Sequence, residues 1–410
     1  MRCRHCSVNL ELVLVDLGCA PPSNAYLTDI TIRRPEKYFP LKVYVCTNCW
    51  LVQAESYSRA SELFNDEYAY FSSFSSAWLQ HSQKYVGDMI AMLSLGSKSQ
   101  VVEIAANDGY LLQYVKQSGI SCYGVEPTSS TANAARQKGL DIIEKFFSSE
   151  LATQLLDEHG SADLMVANNV LAHVPDLADF VAGFKILLEE RGVATFEFPH
   201  LLNLITQGQF DTIYHEHFSY LSITTVCKIF ELNGLHIFDV EDISTHGGSL
   251  RVFAQRNDIK FRAQKHTVTQ MLELEEKSGI RSREFYAGFQ ERADRAKDAF
   301  LHFLLEKKSQ GKKVIGYGAA AKGNTILNYA GVKPDLIKVV VDRNPAKQGK
   351  YLPGSRIPIV SESVIRSIKP DYIVIFPWNL KDEVIIDLQY IREWGGKFVT
   401  AVPHLSLIHI

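Results

Sequence analysis

Residues 100–119 read Gln100-Val-Val-Glu103-Ile-Ala-Ala-Asn107-Asp-Gly109-Tyr-Leu-Leu-Gln-Tyr-Val-Lys-Gln-Ser-Gly119, and their reading decides the fold. A short apolar run enters a turn of Asn, Asp and Gly, and a helical pattern leaves it. The same alternation continues outward. SCYGVEP (121–127) reads as a strand, TANAARQKG (131–139) as a helix, and ADLMVANNVL (162–171) and VATFEFP (193–199) as strands. Short apolar strands separated by helices of roughly 10–15 residues predict a parallel α/β sheet. Before it, residues 77–95 carry a helical pattern with Gly96 as its stop, and the first 75 residues are irregular and rich in turn-formers. Beyond it lie a helix over 223–232 and strands at 236–244 and 248–256, then a charged helical connection over 266–308. A second α/β unit starts at KKVIGYG (312–318) and runs through LIKVVVDRN, DYIVIFPW and KFVTAVP. The expected layout is therefore a module over 1–75, a doubly wound domain over 76–265, a connection over 266–308 and a Rossmann-like domain over 309–410. The tail, HLSLIHI, has no pattern that assigns it.

The first βα turn holds an acidic residue, Glu103, followed at the second, fourth and sixth positions by Ala105, Asn107 and Gly109, where many methyltransferases have glycines. Only one glycine remains, so the turn alone is a weak signal. Glu126 ends the next strand, where a carboxylate accepts hydrogen bonds from a ribose diol. Asn168 and Asn169 end the third, and ligands of doubly wound folds collect at such carboxyl ends. A lone strand-end glutamate is usually a solvated one; Glu103, Gly109 and Glu126 in one strand–turn–helix context point to a nucleoside-bearing cofactor.

In the second unit, Gly316-Tyr-Gly318-Ala-Ala-Ala-Lys322-Gly-Asn324 follows a strand and opens a helix, and Asp342 ends the next strand. Such a turn aims backbone N–H groups at phosphate, and Lys322 adds a positive charge. A nicotinamide cofactor, the diphosphate of a nucleotide-linked substrate and a purely structural turn all remain open on this pattern.

Cys3-x-x-Cys6 and Cys46-x-x-Cys49 place two thiols at each of two turns. Brought together they give the four-thiolate tetrahedron that suits Zn²⁺, and four protein ligands leave no position for water, so the expected zinc is structural and remote from the chemistry. Asp211-Thr-Ile-Tyr214-His215-Glu216-His217-Phe-Ser-Tyr220 is the densest group of acid–base side chains. It is not the zinc-protease helix pattern, because His215 and His217 do not share a helical face. His173, beyond the third strand, lies where this fold presents substrate. A surface loop with ordinary histidines is the plain alternative.

At 410 residues the chain exceeds the roughly 250–300 at which single cores stop growing. Its 46% hydrophobic and 22% charged residues are those of an ordinary globular protein. A net charge of −3, with no basic stripe, gives no reason to expect nucleic acid as a partner. No apolar run reaches the roughly 18 residues of a membrane span, and MRCRHCSVNLELVL lacks a signal's apolar core; the expected location is cytoplasmic. Seven cysteines, an odd number, argue against a disulfide framework. Oligomeric state leaves no mark in the sequence.

The cysteine pairs, EIAANDGYLL, YHEHFSYLS, HGGSLRVF and GYGAAAKGNT followed by DRNPAKQGKYLPG resemble, in this order and across essentially the whole chain, the sugar C-methyltransferases of deoxysugar biosynthesis. The resemblance implies an N-terminal zinc module on Cys3, Cys6, Cys46 and Cys49, then a central S-adenosylmethionine domain and a C-terminal nucleotide-binding domain. The cofactor would be bound by Glu103, Asn107, Gly109, Glu126 and Asn168, with Tyr70 and Ser73 from the aromatic-serine stretch 68–76. Gly316, Gly318, Lys322, Asn324 and Asp342 would take the nucleotide of the substrate rather than NAD. Tyr214, His215, Glu216, His217 and His173 would form the active site, with His217 as base and Glu216 orienting an imidazole. The implied reaction is methylation at carbon-3 of a nucleotide-linked 4-keto sugar. An O- or N-methyltransferase on such a sugar and an NAD-dependent oxidoreductase are the alternatives.

Overall fold

The computed structural model describes residues 1–57, 60–64 and 71–408; Tyr70, one of the expected cofactor residues, lies outside them. Three strands precede the central domain: β1 (Leu12–Ala20), β2 (Phe39–Val45) and β3 (Val52–Ala54). The central domain contributes β4 (Gln100–Ile104), β5 (Ser121–Val125), β6 (Ile142–Ile143), β7 (Ala162–Asn168) and β8 (Leu188–Pro199). After these come β9 (Ser219–Tyr220), β10 (Leu235–Ile243) and β11 (Ser249–Arg256). The last unit holds β12 (Val314–Tyr317), β13 (Val340–Val341), β14 (Ile359–Val360), β15 (Tyr372–Ile375), β16 (Lys397–Thr400) and β17 (Ser406–Ile408).

The central sheet has the order β10-β11-β8-β7-β4-β5-β6. Strands β4 to β8 run parallel, and β10 and β11 close one edge antiparallel. The middle strands read as unbroken apolar runs because helices cover both faces of a parallel sheet; in β7 every residue but Asp163 is buried. Side-chain caps start the helices where the sequence places Ser or Asp: Ser75 for Ser76–Leu93, Ser148 for Ser149–His159, Asp176 for Leu177–Leu187 and Ser222 for Ile223–Leu232. The first of these stops at Ser94, in left-handed backbone at φ +52°, before the expected Gly96. The connection is three helices rather than one, His266–Lys277, Arg283–Tyr286 and Phe289–Ser309, broken where Gly279 and Gly288 take positive φ.

The C-terminal sheet has the order β14-β13-β12-β15-β16-β17, and the unassigned tail supplies its antiparallel edge. The N-terminal sheet is not self-contained: its order is β1-β2-β3-β9, so the segment just after His217 completes it. One core runs from Val43 and Val52 through Phe210 and Ile213 to Ile326 and Leu352, joining the module to the C-terminal unit. Cys3, Cys46 and Cys49 belong to the core of the central sheet. The module's buried residues belong to cores that it shares with its neighbours. Among the described residues no helix is long and apolar enough to cross a membrane.

Candidate active site

A cavity of about 560 Å³ opens at the carboxyl ends of the central strands, and all three units line it. On the central side it is walled by Ala105, Asn107, Glu126 and Asn168. The backbone is left-handed at Ala105 (φ +58°), Asn107 (φ +50°) and Gly109 (φ +75°), the three positions where the sequence pattern has glycines. Glycine is kept only where a Cβ has no room: at Gly109 it would stand 2.2 Å from Leu140 Cδ1. Asn107, a residue that tolerates this backbone, also accepts a hydrogen bond from Ser72 N–H at 2.9 Å.

Glu126 accepts from Asn107 N–H at 2.9 Å and from Thr128 N–H at 3.0 Å, which fixes its carboxyl at the cavity wall; burial raises its pKa. Asn168 is buried at the cavity wall beside the Tyr110 hydroxyl, and neither carboxamide atom makes a well-formed hydrogen bond. An unsatisfied buried polar group costs about 1–3 kcal/mol, and a bound ligand with polar groups of its own removes that cost. Glu126, Asn168 and the left-handed turn therefore fit a nucleoside-bearing cofactor. Gly109 and Glu103 lie behind the lining. Glu103 is fully buried, faces Tyr110 and is raised well above the usual carboxylate range by burial. Of the serine stretch, Ser72 lines the cavity; Ser73 lies outside it, its N–H on Asp108 and its hydroxyl accepting from Lys138.

Opposite stand Tyr214, His217 and His173. His217 Nδ1 lies 2.8 Å from the Thr212 carbonyl, which only accepts, so Nδ1 carries the proton. In the neutral ring Nε2 is then the basic nitrogen, and Tyr214 donates its hydroxyl to it at 2.7 Å. His173 Nδ1 likewise donates to the Glu216 carbonyl at 2.8 Å, and its ring centroid is 4.6 Å from that of His217. Burial holds His173 down to about 4, so it is neutral near pH 7.

The other two members of the segment face elsewhere. His215 is buried against the N-terminal module, its Nε2 3.2 Å from the Phe39 carbonyl, outside the cavity lining. Glu216 does not reach the His217 ring: its carboxyl Oε1 accepts from Asn24 N–H and Asn24 Nδ2 at 3.2 Å each. Only its backbone carbonyl orients an imidazole, that of His173. A β-turn accounts for the split: the His217 N–H donates to the Tyr214 carbonyl at 2.9 Å, which brings the first and fourth side chains together and leaves the middle two to face elsewhere.

From the C-terminal unit Ala320, Ala321, Lys322, Lys347 and Asn379 reach the cavity. Gly316 and Gly318 lie outside the lining; a Cβ on either would stand 2.5 Å from Phe376 and Pro377 respectively. Asn324 is buried beyond it. Asp342 accepts from Ala319 N–H and Asn344 N–H, each at 2.8 Å, and so holds the turn from outside the cavity lining. Lys322 is the charged group that the turn presents. Its ammonium donates to Asn379 at 2.9 Å and lies 4.2 Å from the Trp378 ring centroid. Burial lowers its pKa to about 8, against the pull of Asp211. Asp211 accepts from Trp378 Nε1 at 2.8 Å and is itself raised by burial to about 6. Thr325 donates to the Ile213 carbonyl at 2.8 Å, so the glycine turn is bolted to the backbone beside Tyr214.

The four cysteine sulfurs lie within 4.8 Å of one another, with Cys3–Cys49 and Cys6–Cys46 at 3.5 Å. A tetrahedron with Zn–S of about 2.3 Å spaces its sulfurs by about 3.8 Å, so the set fits zinc. No cysteine lines the cavity. The zinc site is nonetheless less remote than expected: Val52, three residues after Cys49, pairs with Tyr220, three after His217. Gln53 between them donates to Cys3 Sγ at 3.2 Å and accepts from Arg4 N–H at 2.9 Å.

Over 406 residues, 99% of this chain and 96% of its relative, the sequence is 34% identical to the C-methyltransferase NovU of Streptomyces niveus. The chain belongs to the C-methyltransferases. Three family models agree along it: "Putative zinc binding domain" over residues 3–64, "Methyltransferase domain" over 78–240 and "C-methyltransferase C-terminal domain" over 244–403. Among solved structures, magnesium protoporphyrin IX methyltransferase from Synechocystis, with bound SAH, is 19% identical over 44% of this chain and 83% of its own, at a TM-score of 0.36. An S-adenosylmethionine-dependent methyltransferase from Clostridium acetobutylicum is 12% identical over 43% and 92%, also at 0.36. In this C-methyltransferase, sequence reasoning missed Asn24, Trp78, Lys347 and Asn379, all of which line the cavity. Lys347 stands inside the quoted DRNPAKQGKYLPG stretch and was legible there; Asn24 was not, because 192 residues separate it from Glu216.

Proposed function

We propose that this C-methyltransferase moves the methyl group of S-adenosylmethionine to carbon-3 of a nucleotide-linked 4-keto deoxysugar. The observation that carries the reading is one cavity joining three kinds of group: the carboxyl ends of the central strands, the Tyr214–His217–His173 cluster, and the Lys322 turn. The cofactor, held by Glu126, Asn107 and Asn168, supplies an electrophilic methyl group. The chain's residues supply the rest. Carbon-3 is α to the carbonyl, so its proton is acidified and a positioned imidazole removes it. His217 Nε2 is that base, its tautomer fixed by the Thr212 carbonyl. The Tyr214 hydroxyl, now on Nε2, turns to the keto oxygen and donates to the enolate as charge develops there. Neutral His173 packs against the His217 ring and keeps it in place. Lys322 and Lys347 face the diphosphate, and the zinc holds the sheet that ends in β9.

Solvent exchange separates this chemistry from methylation at oxygen or nitrogen, which breaks no C–H bond. In deuterated buffer, with S-adenosylhomocysteine in place of the donor, the enzyme should wash deuterium into carbon-3 of the keto sugar. A substrate that stays fully protonated there under these conditions, yet is methylated when the donor is restored, would overturn the reading.

A further inference from the structure

We infer that Asn24, on the loop between the two cysteine pairs, is a further acceptor-binding residue, and that Glu216 is its positioning residue. The inference rests on the reading of the cavity as the acceptor's site. Asn24 is half-buried and lines that cavity. Both its backbone N–H and its Nδ2 donate to Glu216 Oε1 at 3.2 Å, and the backbone of Ser23 also turns toward the same carboxyl. Tyr26, whose hydroxyl donates to the Ala319 carbonyl at 2.7 Å, stands 3.3 Å from Asn24 Oδ1. Lys347 donates to that same carbonyl at 2.9 Å.

The loop is thus pinned at both ends of the cavity. One pin is the catalytic segment, where Glu216 also holds His173 through its carbonyl. The other is the glycine turn of the C-terminal unit. A carboxamide has two N–H donors and an acceptor oxygen. Glu216 takes one N–H, which leaves the other for a group bound in the cavity that Asn24 lines together with His217 and Lys322. A sugar joined to a diphosphate at the Lys322 turn, with its keto carbon at His217, crosses that cavity. Asn24 then meets a ring hydroxyl or the keto oxygen with a neutral donor. Glu216 is spent on aiming that donor, which is why it sits away from the His217 imidazole.

The test uses the full-length zinc-loaded enzyme with a nucleoside diphosphate keto sugar. Asn24→Ala should raise the acceptor KM about tenfold, the equivalent of one lost hydrogen bond at the upper end of its range. S-adenosylhomocysteine affinity and zinc content should stay as in the wild type. Glu216→Ala should raise the acceptor KM in the same way, and the double variant should add no further loss. The pH profile of kcat should keep its position in all three. Should Asn24→Ala unfold or lose zinc, the similarly sized Asn24→Leu, which removes the side chain's N–H donors without adding charge beside Glu216, is expected to show the same rise. Wild-type turnover with unaltered KM in the Asn24 variants would overturn this inference alone, as would a displaced pH profile in Glu216→Ala. A wild-type enzyme inert toward every nucleoside diphosphate sugar would overturn the reading of the cavity, and the inference with it.

Discussion

Lys322 gives the acceptor site a pH dependence whose sign follows from its surroundings. Its ammonium is taken out of water between Trp378 and Asn379, and burial brings its pKa to about 8 although Asp211 favours the charged form. A diphosphate binds the cation, not the neutral amine. At pH 7 about nine-tenths of Lys322 is charged and at pH 9 about one-tenth, so affinity should fall by up to tenfold across that interval. A nucleoside diphosphate sugar is the proper probe, because its phosphates are diesters with no proton to lose in this range. Titration calorimetry at pH 7, 8 and 9 reads the fall directly. Lys322→Arg keeps the charge at every pH and should flatten the curve. Asp211→Asn removes the anion that supports the ammonium, so the fall should begin at lower pH; the amide oxygen can still accept from Trp378. Affinity that is flat between pH 7 and 9 in the wild type, or that falls equally in Lys322→Arg, would refute the reasoning.

Three further outcomes are expected. His217→Ala should lower kcat by about 10²–10⁴, the usual contribution of a general base, and abolish deuterium wash-in; wash-in at the wild-type rate would remove His217 from the role. Gly109→Ala sets a Cβ 2.2 Å from Leu140 Cδ1 in left-handed backbone; strain of about 1–2 kcal/mol and overpacking of about 1–3 should show as a clear loss in urea unfolding, and an unchanged midpoint would contradict it. Gln53→Ala removes the hydrogen bond to Cys3 Sγ and should weaken zinc about 10–100-fold in competition with a chromophoric chelator; equal zinc affinity would show that the contact does not support the site.

The alternation of strand and helix was legible wherever an element is amphipathic or wholly apolar and has a cap or glycine at its end. The helix Ile223–Leu232 falls on the expected residues because Ser222 caps it and its buried face recurs every three or four positions. What the sequence hid is long-range. Nothing local in Ser219–Tyr220 says that these two residues extend a sheet begun at Leu12, since strand pairing across such a separation leaves no periodic trace. In the site, Tyr214, His217 and His173 stood out by side-chain chemistry and strand-end position, and the cavity unites them. The part assigned to Glu216 was not legible, because residues 214–217 form a turn rather than an extended run, and the partner of the Glu216 carboxyl, Asn24, is far away in the chain. The glycine pattern misled in a different way. At Gly109, Gly316 and Gly318 glycine answers packing behind the cavity, while Ala105, Asn107 and Lys322 are the residues that face it.

The most direct test of the central claim is the position of the transferred methyl group. The enzyme would be given S-adenosylmethionine carrying a ¹³C-methyl and a nucleotide-linked 4-keto deoxysugar, and the product's carbon–carbon and carbon–proton couplings read by NMR. The account predicts a methyl bonded to carbon-3, which has lost its proton. A methyl bonded to oxygen or nitrogen, with carbon-3 still carrying its hydrogen, would contradict it.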